Sequence, residues 1–393
     1  MNTNINQLAI PDLGGNDQFR ILECFEVRHT LGQHPSAVCL ENNDLLYTYD
    51  DYTDAMEGST GYVLRSTDYG RTWSDPILVL ASRVWHGGIH LSLGMQALHS
   101  GRVLLPWTDG ISRKNHAKAK GDFVCLRSDD NGVTWKGYDP QEIGVWAFSP
   151  YGKIIELSNG EVICAGWGYA SDKGEIRSGI IRSQDQGETF GQYAKIGDVF
   201  SETDLTLLHD GRILALLRRG RGFEPETHYA HSSDGGYTWT TPQRINMFGE
   251  NFNAWYTAKG TLVAACRGID GSGVHNPGKY SPAELEKHLA RRRTPQEGYG
   301  IHFFRAAKED GSEWDYLFAL PDPLGLEYRA HHEAGEPCFV NLPDGNLFVG
   351  YYSYDETIYD TLNPGMPHFT KSESTRIAHC FKRRPCACVV REV

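Results

Sequence analysis

One eight-residue pattern occurs four times in this chain, and no other feature limits the fold as strongly. Ser66-Thr67-Asp68-Tyr69-Gly70-Arg71-Thr72-Trp73 returns as Ser128-Asp129-Asp130-Asn131-Gly132-Val133-Thr134-Trp135, as Ser183 to Phe190 and as Ser232 to Trp239. The shared form is Ser-x-Asp-x-Gly-x-Thr followed by Trp or Phe. The Asp can hydrogen-bond neighbouring backbone in a tight turn, the Gly permits φ > 0, and the aromatic ring anchors the turn by burial. Four copies separated by roughly 50–60 residues mean repeated supersecondary units.

A second repeat runs through the chain as an apolar strand, a turn and another apolar strand, clearest in Leu207-Leu208-His209-Asp210-Gly211-Arg212-Ile213-Leu214. Its six copies turn at Asn43, Gly101, Gly160, Gly211, Gly260 and Gly345, each flanked by apolar runs of strand length. Six hairpins whose outer strands end at the octapeptide turns predict an all-β, six-bladed β-propeller, forming one domain over residues 1–393. The octapeptide closes the first four blades. Blade five has a damaged version, Asp310-Gly311-Ser312-Glu313-Trp314, and blade six has none. Phe19 to Val27 and Ile377 to Val390 are both strand-like, and joining them in the last blade would remove the exposed edges. The one departure from strands is an insertion in blade five, about 269–298. There Ser281-Pro282-Ala283-Glu284 reads as a capping box that opens a short helix. The Arg291-Arg292-Arg293 tail of that helix either binds an anion or complements the helix dipole.

The net charge of −12 argues against a nucleic-acid backbone as partner. No run of about 18 apolar residues exists to cross a membrane, and Met1 to Asp17 lacks the pattern of a secretory signal, so a soluble cytoplasmic protein is expected. Nine scattered cysteines, among them Cys39, Cys125, Cys164, Cys266 and Cys338 in apolar runs, read as buried reduced thiols. Cys386-Ala387-Cys388 is too close a pair for an ordinary zinc or disulfide motif. No phosphate-loop or dinucleotide fingerprint is present, so no cofactor is expected. Nothing in the pattern sets an oligomeric state.

The octapeptide turns resemble the Asp boxes of the sialidase-like superfamily. In that superfamily the boxes lie on the periphery of the blades, so the resemblance speaks to architecture, and the reaction must be sought elsewhere in the repeat.

Aligning the six hairpins on their turns places equivalent residues at equivalent heights around the axis. Nine residues before each turn and seven after it come His34 and Asp50, Ser92 and Thr108, Tyr151 and Trp167, Glu202 and Arg218, Asn251 and Arg267, Glu336 and Tyr352. A channel that only packed would hold small or apolar residues here. Carboxylates and arginines converging on one mouth suit glycosidic-bond cleavage, and aromatic rings suit sugar faces.

The stretch Ser201-Glu202-Thr203-Asp204-Leu205 through Leu217-Arg218 resembles the sialidase segment in which a Glu precedes a hairpin and an Arg follows it. The resemblance implies that Glu202 assists a nucleophile and that Arg218 grips a substrate carboxylate. Elsewhere the chain departs from that pattern. Gly32-Gln33-His34-Pro35 stands where sialidases carry Phe/Tyr-Arg-Ile-Pro. Glu336 stands at the position of the nucleophilic Tyr, and no Arg occurs near Tyr299 or Gly300, where a third would fall. Sialidases are thought to use Tyr because a carboxylate nucleophile would be repelled by the substrate's own carboxylate. Glu336 therefore favours a sugar without a carboxylate on its anomeric carbon, or an inverting mechanism with Glu as base. Arg218 and Arg267, with Arg28 and Arg219 as possible neighbours, still favour an acid group somewhere on the substrate. A relocated Tyr352 or Tyr354 would restore a sialidase-type nucleophile.

Asp50 is the favoured general acid, with Asp51 and Asp54 as competitors and a solvated turn as the plain alternative. Gln33, His34, His86, Trp167 and Asn251 are expected to line the sugar pocket. His86 and His90, or His331 and His332 with Glu333, could ligate zinc, but their spacing matches no metal motif, and none is expected. The expected function is an exo-acting glycoside hydrolase of sialidase type, taking a terminal, acidic sugar. Two alternatives are a polysaccharide lyase acting on uronates and a propeller that binds carbohydrate without catalysis.

Overall fold

The computed structural model describes residues 14–51, 59–81, 88–91, 93–111, 122–143, 145, 147–169, 176–219, 226–268, 300–320, 334–354 and 383–393. The helix expected within 269–298 lies outside them, as do Asp54, His86, Tyr299, His331 and His332. The described residues form six antiparallel sheets in a six-bladed propeller. The first strand, β1 (Phe19–Glu26), belongs to the last sheet. Blade one is β2 (Gln33–Cys39), β3 (Leu45–Asp50), β4 (Thr60–Ser66) and β5 (Ile77–Ala81). Blade two has its inner position shared by β6 (Gly88–Leu91) and β7 (Gln96–Ala97), followed by β8 (Val103–Ile111) and β9 (Asp122–Ser128). Blade three is β10 (Ala147–Glu156), β11 (Val162–Tyr169), β12 (Ile176–Ser183) and β13 (Gly191–Asp198). Blade four is β14 (Phe200–Leu207), β15 (Ile213–Arg219), β16 (Glu226–Ser232) and β17 (Gln243–Arg244). Blade five is β18 (Glu250–Tyr256), β19 (Leu262–Arg267), β20 (Ile301–Ala306) and β21 (Trp314–Ala319). Blade six is β22 (Ala334–Asn341), β23 (Leu347–Tyr354) and β24 (Arg383–Glu392), and β1 completes it by pairing with β24, as the strand-like ends required.

The strands read as continuous apolar runs because both faces of each blade are covered. On β3, Leu46 enters a core shared with Trp107 and Val124 of blade two, while Leu45 and Tyr47 enter one shared with Phe348 and Val389 of blade six. Six such cores lie between neighbouring blades and close the ring. The inner hairpins all turn alike: Asn43, Gly101, Gly160, Gly211, Gly260 and Gly345 have φ between 67° and 86°.

The four octapeptide turns share one hydrogen-bond set. Gly70, Gly132, Gly187 and Gly236 each donate their N–H to the opening serine's Oγ at 2.7–2.8 Å. The threonine N–H and hydroxyl both donate to the aspartate, as with Thr72 on Asp68 at 2.8 and 2.6 Å. In Asp130 the Thr134 hydroxyl and N–H hold the carboxyl down at about 2. Each of these glycines also lies against the preceding blade: Gly70 on Phe348, Gly132 on Leu46, Gly187 on Leu104 and Gly236 on Ile180. The damaged turn of blade five does the same, with Gly311 on Leu214. The turns thus buckle each blade to the one before it. A Cβ on Gly132 would meet Leu46 Cδ1 at 2.5 Å on a backbone with φ +81°. Gly132→Ala is therefore expected to destabilise the protein by about 1–3 kcal/mol in urea unfolding, and a change near zero would refute the buckle.

One cysteine expectation is corrected. Cys24 and Cys388 form a disulfide at a sequence separation of 364, whereas Cys39, Cys125, Cys164, Cys266 and Cys338 are free. The pair lies directly opposite across the β1–β24 ladder. Spacing along the chain could not reveal it, because ring closure alone brings the two ends together.

Candidate functional site

Five of the six inner strands lose their register at the same height. The breaks fall between Gln33 and Ser36, Pro150 and Ile154, Phe200 and Thr203, Glu250 and Asn253, and Gly335 and Cys338. Extra residues at such bulges turn side chains away from the pleat, and bulges concentrate near functional sites. His34, Asn251 and Glu336 occupy them with φ of 49°, 54° and 57°, a strained region for non-glycine residues. The aligned positions therefore do gather at one mouth of the channel, in two linked groups.

The first group is centred on His34. Its Nδ1 lies 2.8 Å from Asp50 Oδ2, its Nε2 3.2 Å from Glu336 Oε1, and its backbone N–H donates to Glu336 Oε2 at 2.8 Å. The imidazole thus stands between two carboxylates. All three side chains are buried. Burial opposes a charge on His34, but Asp50 and Glu336 outweigh it and raise its pKa. Burial pushes the Asp50 carboxyl up to about 6, against the pull of His34. Gln33 adjoins the imidazole at 3.1 Å and accepts a hydrogen bond from Arg383, whose guanidinium lies 4.6 Å over the Tyr352 ring.

The second group is centred on Glu250, whose carboxylate receives Arg218 through one oxygen and Arg267 through the other. Arg218 also donates to Glu202, and Arg267 donates to the Tyr352 hydroxyl at 3.0 Å. Asn251 bridges Glu202, at 2.9 Å, and the Tyr151 hydroxyl. Burial raises the Glu202 pKa, opposed by Arg218 and reinforced by Glu250. Arg218 and Arg267 keep 17 % and 20 % of their side-chain surface exposed while Glu250 keeps 3 %, so the guanidiniums face the opening and Glu250 backs them. Removing one member of a buried charge set strands the others. Glu250→Gln is accordingly expected to cost about 3–5 kcal/mol in chemical denaturation, and a loss below about 1 kcal/mol would show that the arginines do not depend on it.

Asp50, His34, Gln33, Glu336, Glu202, Arg218, Arg267, Asn251 and Tyr352 therefore meet in space. Trp167 stands half-buried on β11 opposite Ser149, on the same register. Arg28 does not join them, because its contacts are the Ser74 carbonyl and Asp75 on the outer side of blade one. Arg219 pairs with Glu226 instead. Asp51 accepts the Thr60 N–H at 2.6 Å. Two important members were not anticipated. Glu250 precedes the aligned Asn251 and reaches the site from the last regular pair before the bulge, opposite Arg267, a position the hairpin alignment does not single out. Arg383 comes from the C-terminal strand that closes blade six, outside the hairpin repeat.

No family model matches the chain, and no curated protein matches it by sequence. Solved structures match it by shape. A protein of unknown function from Dyadobacter fermentans superposes with a TM-score of 0.67 at 16 % identity, over 96 % of this chain and 100 % of that one. A Hadza microbial sialidase gives 0.61 at 18 % identity, over 84 % of this chain and 66 % of its own, so this chain spans about two thirds of that protein. The intramolecular trans-sialidase of Ruminococcus gnavus gives 0.56 at 13 % identity, over 87 % and 94 %. Identities this low speak to the fold alone, and on that evidence the chain has the six-bladed β-propeller fold of the solved sialidases it is similar to.

Proposed function

We propose that the chain is a glycoside hydrolase that removes a terminal sugar carrying an acid group. The observation behind this reading is the meeting, at one mouth, of two carboxylates across an imidazole and two partly exposed guanidiniums backed by a buried carboxylate. Asp50, with its raised pKa, is suited to protonate the leaving oxygen. Glu336, on the other side of His34, serves as nucleophile or as the base for water. Arg218 and Arg267 take the acid group of the substrate, since guanidiniums bind carboxylates in a fork. The sialidases among the structures of this shape support the same substrate class. A lyase would need an unprotonated base, and the raised pKa of His34 between two carboxylates disfavours it in that role.

A panel of aryl glycosides that includes a sialoside and a glucuronide tests the reading. Release of phenol from an acidic glycoside, lost in Arg267→Ala and retained on no neutral one, is the expected result. A product absorbing near roughly 230 nm from uronate-containing glycans would indicate elimination instead. Sugar binding without turnover would leave a binding propeller.

A further inference from the structure

Beneath the mouth just described the channel carries a polar plug, and beyond the plug it widens. Two residues after Tyr151, Glu202 and Asn251 come Lys153, Asp204 and Asn253. The Lys153 ammonium lies 2.5 Å from Asp204 Oδ2 and 3.4 Å from Asn253 Oδ1. A cavity of about 230 Å³ adjoins this pair and continues into one of about 570 Å³ at the end where the hairpins turn. Both are lined by Lys153, Gln96, Trp255 and Asn341.

These walls carry unmet hydrogen-bonding capacity. Trp255 Nε1 and Asn341 Oδ1 are buried polar atoms with no hydrogen-bond partner among the described residues, one a donor and the other an acceptor. Asn341 Nδ2 donates to the Tyr256 carbonyl at 2.9 Å, which sets the orientation of the amide and leaves Oδ1 as the acceptor. Buried polar groups in native proteins usually find partners, and this pair on one cavity wall offers a donor and an acceptor to a hydroxyl-bearing ligand. Lys153 is the one lysine or arginine among the described lining residues, and Asp204 neutralises it. Glu41 and Glu156 also line the wider cavity, so an anion is disfavoured there.

We propose that this far mouth is a second binding site, for a neutral mono- or disaccharide, separate from the acidic-sugar site at the opposite mouth. A sugar hydroxyl both donates and accepts, which satisfies the indole N–H and the amide oxygen together. The apolar face of a pyranose can lie against the half-buried Trp255 ring that lines both cavities. A cavity of about 570 Å³ also falls within the usual size of small-molecule sites.

Lactose, maltose and cellobiose are the probes, titrated into the whole protein to about 10 mM and followed by saturation-transfer NMR and by the ¹⁵N indole resonances. At least one is expected to bind and to shift the Trp255 indole signal. Trp255→Phe keeps the packed ring and removes the donor, and should weaken binding about fivefold to tenfold. Glu202→Gln, at the other mouth, should leave it unchanged. Failure of all three sugars to bind, binding abolished by Glu202→Gln, or undiminished affinity in a folded Trp255→Phe would each overturn the proposal. If Trp255→Phe does not fold, the wild-type indole signal decides: a probe that binds without shifting it also refutes the site. Because the probes are neutral, their failure says nothing about cleavage of an acidic glycoside.

Discussion

Asp50→Asn is expected to lower turnover by about 10²–10⁴-fold on whichever acidic glycoside the chain cleaves, the usual range for loss of a general acid. Asp50 is fully buried, its Oδ2 is held 2.8 Å from His34 Nδ1, and its Oδ1 has no hydrogen-bond partner among the described residues. That unengaged oxygen is free to hold the proton. With a pKa near 6, the acid is protonated below that value and loses its proton above it. Wild-type kcat/KM should therefore fall as pH rises through about 6, and this limb should be missing from the residual activity of Asp50→Asn. The same shift bears on stability. The folded pKa lies above the ordinary aspartate value of 3.8, so this contribution is present below about 3.8 and is lost as pH rises through about 6. Denaturation midpoints across that window should decline less in Asp50→Asn than in wild type. Asp51→Asn is the control, since its carboxylate is engaged by the Thr60 N–H. Equal losses in the two variants would remove Asp50 from the acid role.

Replacing Cys24 or Cys388 by Ser is expected to destabilise the fold by about 2–5 kcal/mol and to lower Tm by about 5 °C, with reduction of the wild type giving a similar shift. The bridge spans 364 residues of sequence and ties the first strand to the last inside blade six. Closing so long a loop restrains the unfolded chain strongly, and in the native state it holds β1 on the edge where the ring is joined. Alkylation with mass mapping under non-reducing conditions should find the pair protected. Full labelling of both cysteines in folded, unreduced protein would contradict the bridge. The pairing also bears on location, because such bonds persist in oxidising compartments.

Much of the architecture is written in local chemistry. The Ser-x-Asp-x-Gly-x-Thr turns and the six hairpin turns at Asn43, Gly101, Gly160, Gly211, Gly260 and Gly345 depend on near-neighbour hydrogen bonds and on φ > 0. Such requirements leave marks at fixed spacings, and the blade count and the closure by the chain ends follow from them. The repeat also supplied the height of the site, so His34, Asp50, Glu202, Arg218, Arg267, Glu336 and Tyr352 could be named before any coordinates. Contacts between distant segments left no such mark. Glu250 enters beside the bulge, paired opposite Arg267, and Arg383 enters because β24 lies beside β23 in the closed ring. Arg28 was a candidate neighbour of Arg218 and Arg267, but its contacts are the Ser74 carbonyl and Asp75. Cys24 meets Cys388 only across the final ladder. Local turn chemistry is encoded in the residues that make it, so the sequence by itself determined the propeller and the mouth at which the candidate residues meet. The charge partners, the disulfide and the cavity at the far end arise where remote segments are brought together, and only the tertiary structure decided them.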